Sequence, residues 1–184
     1  MVCISQIPWS SKLLKLNLTG TGGSYSNYWG TADPDSSKFG VYASTTAGNN
    51  EGNMLAYCFA PISGYSAFGS YTGTGYSDDR APFIHLGFKP RWVMIKSTTL
   101  SHNWIVFDSE RGAYNAVNQI LWPNKTKEEA AVDSADTNTG NLDFDILSNG
   151  IKFRTANWSV NKGSSDTYVY AAFGENPFSI ARAR

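Results

Sequence analysis

The chain has 184 residues, of which 41% are hydrophobic, 14% are aromatic and 16% are charged. This balance excludes intrinsic disorder, which goes with few aromatics and high net charge, and it predicts a packed core. Fifteen basic and fifteen acidic residues give a formal net charge of zero, so we expect no nucleic-acid partner, because such a partner normally requires a basic face.

Short apolar runs separated by turn residues predict β-strands along the whole chain. In the first run, Leu14, Leu16 and Leu18 alternate with polar residues, which is the period-two pattern of a half-buried strand. Gly, Asn, Asp or Pro marks most of the gaps between runs. The further strand candidates are 38–42, 54–59, 67–72, 83–86, 92–96, 104–107, 116–121, 142–147, 151–155 and 167–173.

Two local signals refine this pattern. Ser148, Asn149 and Gly150 predict a hairpin, because Asn-Gly supplies the positive φ angles of a type I′ turn. Thr126 and Glu129 have the spacing of a capping box, which predicts at most one short rim helix, over 126–131. Many short strands with frequent turns predict an all-β fold, an antiparallel β-sandwich.

An internal repeat divides the chain. The matched pairs are Phe39 with Phe153, Leu55 with Val169, and Phe59 with Phe173. They share one offset (173 − 59 = 114). We interpret 1–63 as the C-terminal half of a preceding sandwich module and 64–184 as a complete module. A half-module leaves a sheet face uncovered, so we expect residues 10–60 to pack onto the complete module or to be completed by another chain.

The second module carries an ordered series of motifs. They are 68–75 (FGSYTGTG), 87–96 (GFKPRWVMIK), 107–112 (FDSERG), 144–154 (FDILSNGIKFR) and 168–173 (YVYAAF). Through them nearly the whole chain resembles an uncharacterised, often tandem domain of tail-fibre and other tail proteins of tailed phages, a relative of concanavalin A-like, jelly-roll-like sandwiches. The first module lacks equivalents of the second and third motifs.

The resemblance implies where the protein acts and with what. It implies a virion protein that is made in the host bacterial cytoplasm. Its implied partners are other copies of itself, as a homotrimer, and other virion proteins. It brings no catalytic or ligand-binding residues that could be transferred to this sequence, so candidate sites depend on the residues themselves.

Aromatic residues in polar surroundings are the candidate ligand-binding residues. They are Trp122, Trp158, Tyr114, Trp29 and Tyr28. Exposed aromatic rings beside amides and charges suit the apolar CH faces and hydroxyls of sugars, which predicts a cell-surface glycan as ligand. The alternative is that these rings plug the ends of the sandwich or lie at subunit contacts.

We predict no catalytic site, no metal and no cofactor. Neither His85 nor His102 lies in a motif with a nucleophile. Asp143 and Asp145 share one face of a strand, as paired carboxylates of glycan-cleaving enzymes do, but their alternation with apolar residues is typical of a half-exposed strand. The acidic pair at 78–79 lies outside any calcium-loop pattern.

Other ionisable and thiol groups suggest structural roles. Asp108 and Arg111 are spaced to form an ion pair across a turn. Cys3 and Cys58 are too few for a disulfide framework, and Cys58 lies in an apolar run that predicts a buried free thiol. Residues 1–18 lack the apolar core of a signal peptide, and no segment could span a bilayer, so we expect a soluble protein without membrane insertion.

Three functions are compatible with these observations. The first is a host-attachment module of a tail fibre that binds a surface glycan without catalysis. The second is a purely structural virion component, either a fibre spacer or a capsid decoration protein. The third is a polysaccharide depolymerase, which requires two carboxylates facing each other in a cleft.

Overall fold

The computed structural model describes residues 12–24, 28, 35, 37–42, 53, 55–112, 114–126, 129–131 and 142–175. All regular structure within these ranges is β, with no helix. The strands are β1 (Lys12–Leu13), β2 (Gly23–Ser24), β3 (Ser66–Thr72), β4 (Phe83–His85), β5 (Pro90–Ser97), β6 (Ile105–Asp108), β7 (Gln119–Ile120), β8 (Ala130–Ala131), β9 (Phe144–Leu147), β10 (Gly150–Phe153) and β11 (Thr167–Gly174). In the same ranges no helix is long and apolar enough to cross a membrane.

Two antiparallel sheets form the body of the fold. The larger has the strand order β3-β11-β5-β6 and the smaller has the order β4-β10-β9. In the larger sheet, Ala171 of β11 lies opposite Phe68 on one side and Met94 on the other. Two short pairs, β1-β2 and β7-β8, complete the described pairing.

The core lies between these two sheets. From the larger sheet it takes Val93, Ile95, Ile105, Phe107, Tyr168 and Ala172, and from the smaller sheet Ile84, Phe144, Ile146, Ile151 and Phe153. The rings of Phe107 and Phe144 meet edge to face across it, with their centroids 3.8 Å apart. Alternate residues of each strand supply this core, as the pleat requires. The predicted all-β, antiparallel, sandwich-like fold is confirmed.

The predicted hairpin is present, with its turn displaced by one residue. β9 and β10 pair with Gly150 opposite Leu147, so Ser148 and Asn149 connect the strands and Gly150 begins β10. A Cβ atom on Gly150 would collide with the main-chain oxygen of Ile84 in β4. Glycine is therefore required here for close backbone approach rather than for the turn.

The short rim helix that the sequence allows over 126–131 is absent from the part of this segment that the structure describes. Ala130 and Ala131 form β8 and pair with Ile120 and Gln119. The carboxylate of Glu129 forms an ion pair with Arg111, so it is not available to cap a helix. Pairing with β7 gives this main chain the hydrogen bonds that a helix would otherwise supply.

The outer face of the larger sheet is covered by N-terminal residues. Leu14, which follows β1, forms a buried cluster with Trp104 and Val169. The indole Nε1 of Trp104 also donates to the main-chain oxygen of Lys15 at 2.9 Å. Leu14 and Lys15 thus contact residues of the segment 64–184, whereas most of 25–54 lies outside the described residues. The division at residues 63 and 64 stays a prediction.

The segment 55–61 departs from its predicted structure. It forms no strand, although the apolar run at 54–59 predicted one. Its Phe59 ring lies on the outer face of the larger sheet, with its centroid 5.7 Å from that of Phe173 and 6.2 Å from that of Phe68. Cys58 is exposed, so the prediction of a buried thiol is wrong, because the side chains of this segment face solvent.

Candidate functional site

A cleft of about 520 Å³ lies where the residues after β1 meet the turn that begins at Pro123. Its walls are formed by Leu13, Leu14, Lys15, Leu16, Asn17, Tyr28 and Pro123. Most of this lining is apolar, with one ammonium and one amide among it. The volume lies within the range of about 300–1,000 Å³ that small-molecule sites occupy, and the cleft is open to solvent, since Leu16, Asn17 and Pro123 are exposed.

Tyr28 forms an aromatic wall of the cleft. Its side chain is 6% exposed and packs against Leu13, with Val41 beside them. Its main-chain oxygen accepts a hydrogen bond from the amide of Tyr42 at 3.1 Å. The ammonium of Lys15 lies 5.5 Å from the centre of the Tyr28 ring, within the range of a cation–π contact. The ring is thus fixed by packing, with a cation beside it.

The Pro123 wall belongs to a turn that side chains hold in place. The Oδ1 of Asn124 accepts a hydrogen bond from the amide of Trp104 at 3.0 Å, and its Nδ2 donates to Asn103 at 2.8 Å. The amide of Lys125 donates to the main-chain oxygen of Trp122 at 3.0 Å. These bonds anchor the cleft to the larger sheet.

The aromatic residues predicted to bind a ligand lie in different places and do not form one site. Tyr28 lines the cleft but is only 6% exposed, and Trp122 is 5% exposed and packs in the main core, so burial favours the packing alternative for both residues. Trp158 is half-buried, with the ammonium of Lys162 placed 4.3 Å from its ring centre. Tyr114 is 88% exposed and does not line the cleft. Trp29 lies outside the described residues.

Sequence reasoning missed the polar residues of the cleft. Lys15 and Asn17 fall in the run that was interpreted as an alternating strand, where polar residues are expected to face solvent. The structure places both in the turn that follows β1, where they line the cleft; Asn17 is exposed, and the Lys15 ammonium lies 5.5 Å from the Tyr28 ring centre. The local sequence around Asn17 does not indicate a cleft, because two of its walls, Tyr28 and Pro123, are distant in sequence and are brought close only by the tertiary structure.

Two of the acidic residues singled out from the sequence, Asp145 and Asp108, form ion pairs. Asp145 forms an ion pair with Arg154 at 2.7 Å, while burial raises the pKa of Asp143. Asp108 and Arg111 form the predicted ion pair, with Nε and Oδ2 separated by 3.7 Å. Among the described residues, no group of three or more His, Cys, Asp or Glu side chains could hold a metal ion.

One protein family matches a part of the chain that includes the cleft and both sheets. Residues 1–177 match the family described as Domain of unknown function (DUF7483). The chain belongs to this family. No curated protein and no solved structure matches the chain. Membership in DUF7483 assigns no activity, so a function must be argued from the cleft and from the surfaces described above.

Proposed function

We propose that this chain is an attachment module of a phage tail fibre and that it binds a cell-surface glycan in the cleft beside Tyr28. The observation that carries the glycan is the combination of an aromatic ring, an amide and an ammonium around one apolar cleft. The ordered motifs of the second module support the tail-fibre role and the virion location. A non-catalytic role follows from this proposal.

The chemistry of the cleft suits a saccharide. The CH face of a sugar ring packs well against apolar side chains, of which Leu16 is exposed here, while its hydroxyls require polar partners. Asn17 can donate and accept, and Lys15 can donate three hydrogen bonds. The Lys15 ammonium also favours sugars that carry a carboxylate or phosphate. We therefore expect acidic glycans to bind more tightly than neutral ones.

A glycan array with the purified chain tests the proposal, followed by affinity measurements on the best ligand. Replacing Asn17 by Ala should weaken binding by about tenfold, the effect of about one lost hydrogen bond. Asn53, which is exposed and outside the cleft, provides the matched control. Asn53→Ala should bind like the wild type. Absence of binding to any glycan or host surface, or equal affinity of both variants, contradicts the proposal.

A structural role in the virion is the second candidate, and a different observation favours it. Leu55 and Tyr57 are each 77% exposed and Phe59 is 59% exposed, so one short segment presents three large apolar side chains to solvent. Exposed apolar groups in series are typical of contact surfaces. If this role is correct, Tyr57→Ser impairs incorporation into virions, whereas adsorption per incorporated copy is unchanged.

A further inference from the structure

Strand β3 lies at one edge of the larger sheet. The hydrogen bonds at its two ends show which of its residues direct their main-chain groups toward β11 and which direct them outward. The amide of Gly174 donates to Tyr65 at 2.7 Å. At the other end, the amide of Gly73 donates to Asp166 at 2.9 Å. Since antiparallel pairs alternate in hydrogen bonding, the odd-numbered residues of β3 direct their main-chain groups toward β11. The even-numbered residues direct theirs away from the sheet.

Within the described part of the chain, this outer edge is open along most of β3. At its start, Ile62 and Ser66 exchange two main-chain hydrogen bonds of 3.0 and 2.9 Å. Beyond that point, the outward main-chain groups of Phe68, Ser70 and Thr72 have no hydrogen-bond partner within the described part of the chain. The side chains of Ser70 and Thr72 are exposed. The edge therefore offers three donors and three acceptors to another strand.

The β3 edge carries none of the features that normally prevent strand pairing. Natural edge strands are protected by charged side chains, proline or bulges. No charged residue occurs anywhere in 52–77, and β3 contains no proline. The opposite edge strand, β6, is covered, because Val106 and Leu121 exchange hydrogen bonds of 2.9 and 3.1 Å. It also carries Asp108. The contrast indicates that β3 is an interaction surface.

We propose that β3 pairs antiparallel with β3 of a second copy of this chain, around a twofold axis at Ser70, which differs from the homotrimer that the resemblance to tail fibres implies. Phe68 then lies opposite Thr72 of the second copy, and the two Ser70 residues face each other. Each of these opposed pairs exchanges two hydrogen bonds, and the two four-stranded sheets join into one continuous sheet. A twofold interface uses the same surface on both copies, and this edge is complementary to itself.

Charge and apolar surface favour a second copy over an unrelated strand. Two identical edges repel each other when they carry charge, and this one carries none from 52 to 77. The exposed segment 55–61 lies beside β3, as the contact between Phe59 and Phe68 shows. Phe59 is 59% exposed, so a second copy that pairs along β3 can bury apolar surface at this ring.

Light scattering coupled to size-exclusion chromatography tests the pairing. The wild type should have twice the chain mass of 20.1 kDa. Ser70→Lys places a charge at the twofold axis in both copies, so it should halve that mass while the far-UV circular dichroism spectrum stays unchanged. Its melting temperature should fall by the stabilisation that association gives the wild type. Ser101→Lys, at an exposed loop residue, should remain dimeric. A monomeric or trimeric wild type, or a Ser70→Lys variant that keeps the wild-type mass, overturns the proposal.

A cross-link locates the axis independently of stability. Opposed residues in a hydrogen-bonded pair have Cα atoms about 5.5 Å apart, within reach of a disulfide. In a chain with Cys3→Ser and Cys58→Ser, the Ser70→Cys variant should form a covalent dimer when diamide oxidises it. Ser101→Cys in the same background should stay monomeric on a non-reducing gel. Cross-linking of both variants, or of neither, contradicts the twofold axis at Ser70.

Discussion

The indole Nε1 of Trp104 donates a hydrogen bond to the main-chain oxygen of Lys15 across 2.9 Å. These residues are 89 positions apart in the sequence. Trp104 is 1% exposed and precedes β6, while Lys15 contributes the cation of the cleft. The bond therefore links the candidate site directly to the larger sheet, and the geometry of the cleft depends on how firmly residues 13–18 are held there.

Replacing Trp104 by Phe tests this anchor. The variant keeps an aromatic ring but loses the N–H donor and part of the buried volume, so we expect the free energy of unfolding to fall by about 2 kcal/mol. Main-chain amides at 13–18 should exchange faster with deuterium, whereas those of β9 and β10 keep their native-state protection. Unchanged exchange at 13–18 would show that the hydrogen bond does not anchor the cleft.

Gly150→Ala tests the close approach of β10 and β4. The added Cβ meets the main-chain oxygen of Ile84, which cannot rotate away as a side chain can. We expect a loss of about 2–3 kcal/mol in a urea titration, as for other overpacked core positions. Gly20→Ala is the control, because nothing lies within 4 Å of a Cβ there. Equal stability of the two variants contradicts this account.

The strands whose positions the sequence predicts most closely are those that contribute residues to the core between the two sheets. The apolar runs at 92–96 and 167–173 correspond to β5 (Pro90–Ser97) and β11 (Thr167–Gly174). The similar run at 54–59 forms no strand in its described part. Apolar content indicates that a segment can pair, but a strand also needs a neighbour with free main-chain groups, and that depends on tertiary structure.

The candidate site was only partly predictable for a related reason. Tyr28 could be selected as an aromatic residue in polar surroundings, and it does line the cleft. Its burial against Leu13 could not be predicted, nor could the arrival of Pro123 from a distant part of the chain. Trp122 does not line the cleft because its ring enters the main core, and the local sequence does not distinguish it from Tyr28 in this respect.

Stability should rise with pH because of Lys96. Its side chain is 0% exposed, and Nζ donates to the main-chain oxygens of Ser97 at 2.6 Å and Leu100 at 3.3 Å. Burial lowers the pKa of Lys96 to about 8 from 10.5. Between these values the unfolded chain binds a proton that the folded chain has lost, so folding becomes more favourable as pH increases.

The expected gain is about 2 kcal/mol between about pH 8 and about pH 10. Denaturant titrations of the wild type and of Lys96→Met across that range measure it. The Met variant has no group that titrates at this position, so its stability should lack this increase. Parallel pH dependence of the two proteins would assign the effect to other groups.

The side chain of Asn161 should be the main support of the loop that follows β3. It is fully buried, and its Oδ1 accepts from the amides of Thr74 at 2.6 Å and Gly75 at 3.2 Å. Its Nδ2 donates to the main-chain oxygens of Tyr76 at 2.7 Å and Thr155 at 2.8 Å. One amide thus satisfies two donors and two acceptors from two separate segments.

Asn161→Ala should therefore lower the free energy of unfolding by about 3 kcal/mol, because buried main-chain groups lose their partners. Asn53→Ala removes an exposed amide of the same size and should change stability by less than about 0.5 kcal/mol. Asn161→Asp retains the two acceptor contacts but not the donors, and it buries a charge, so it should be at least as unstable as the Ala variant. If Asn161→Asp is as stable as the wild type, the amide donors do not contribute and the loop is held by other contacts.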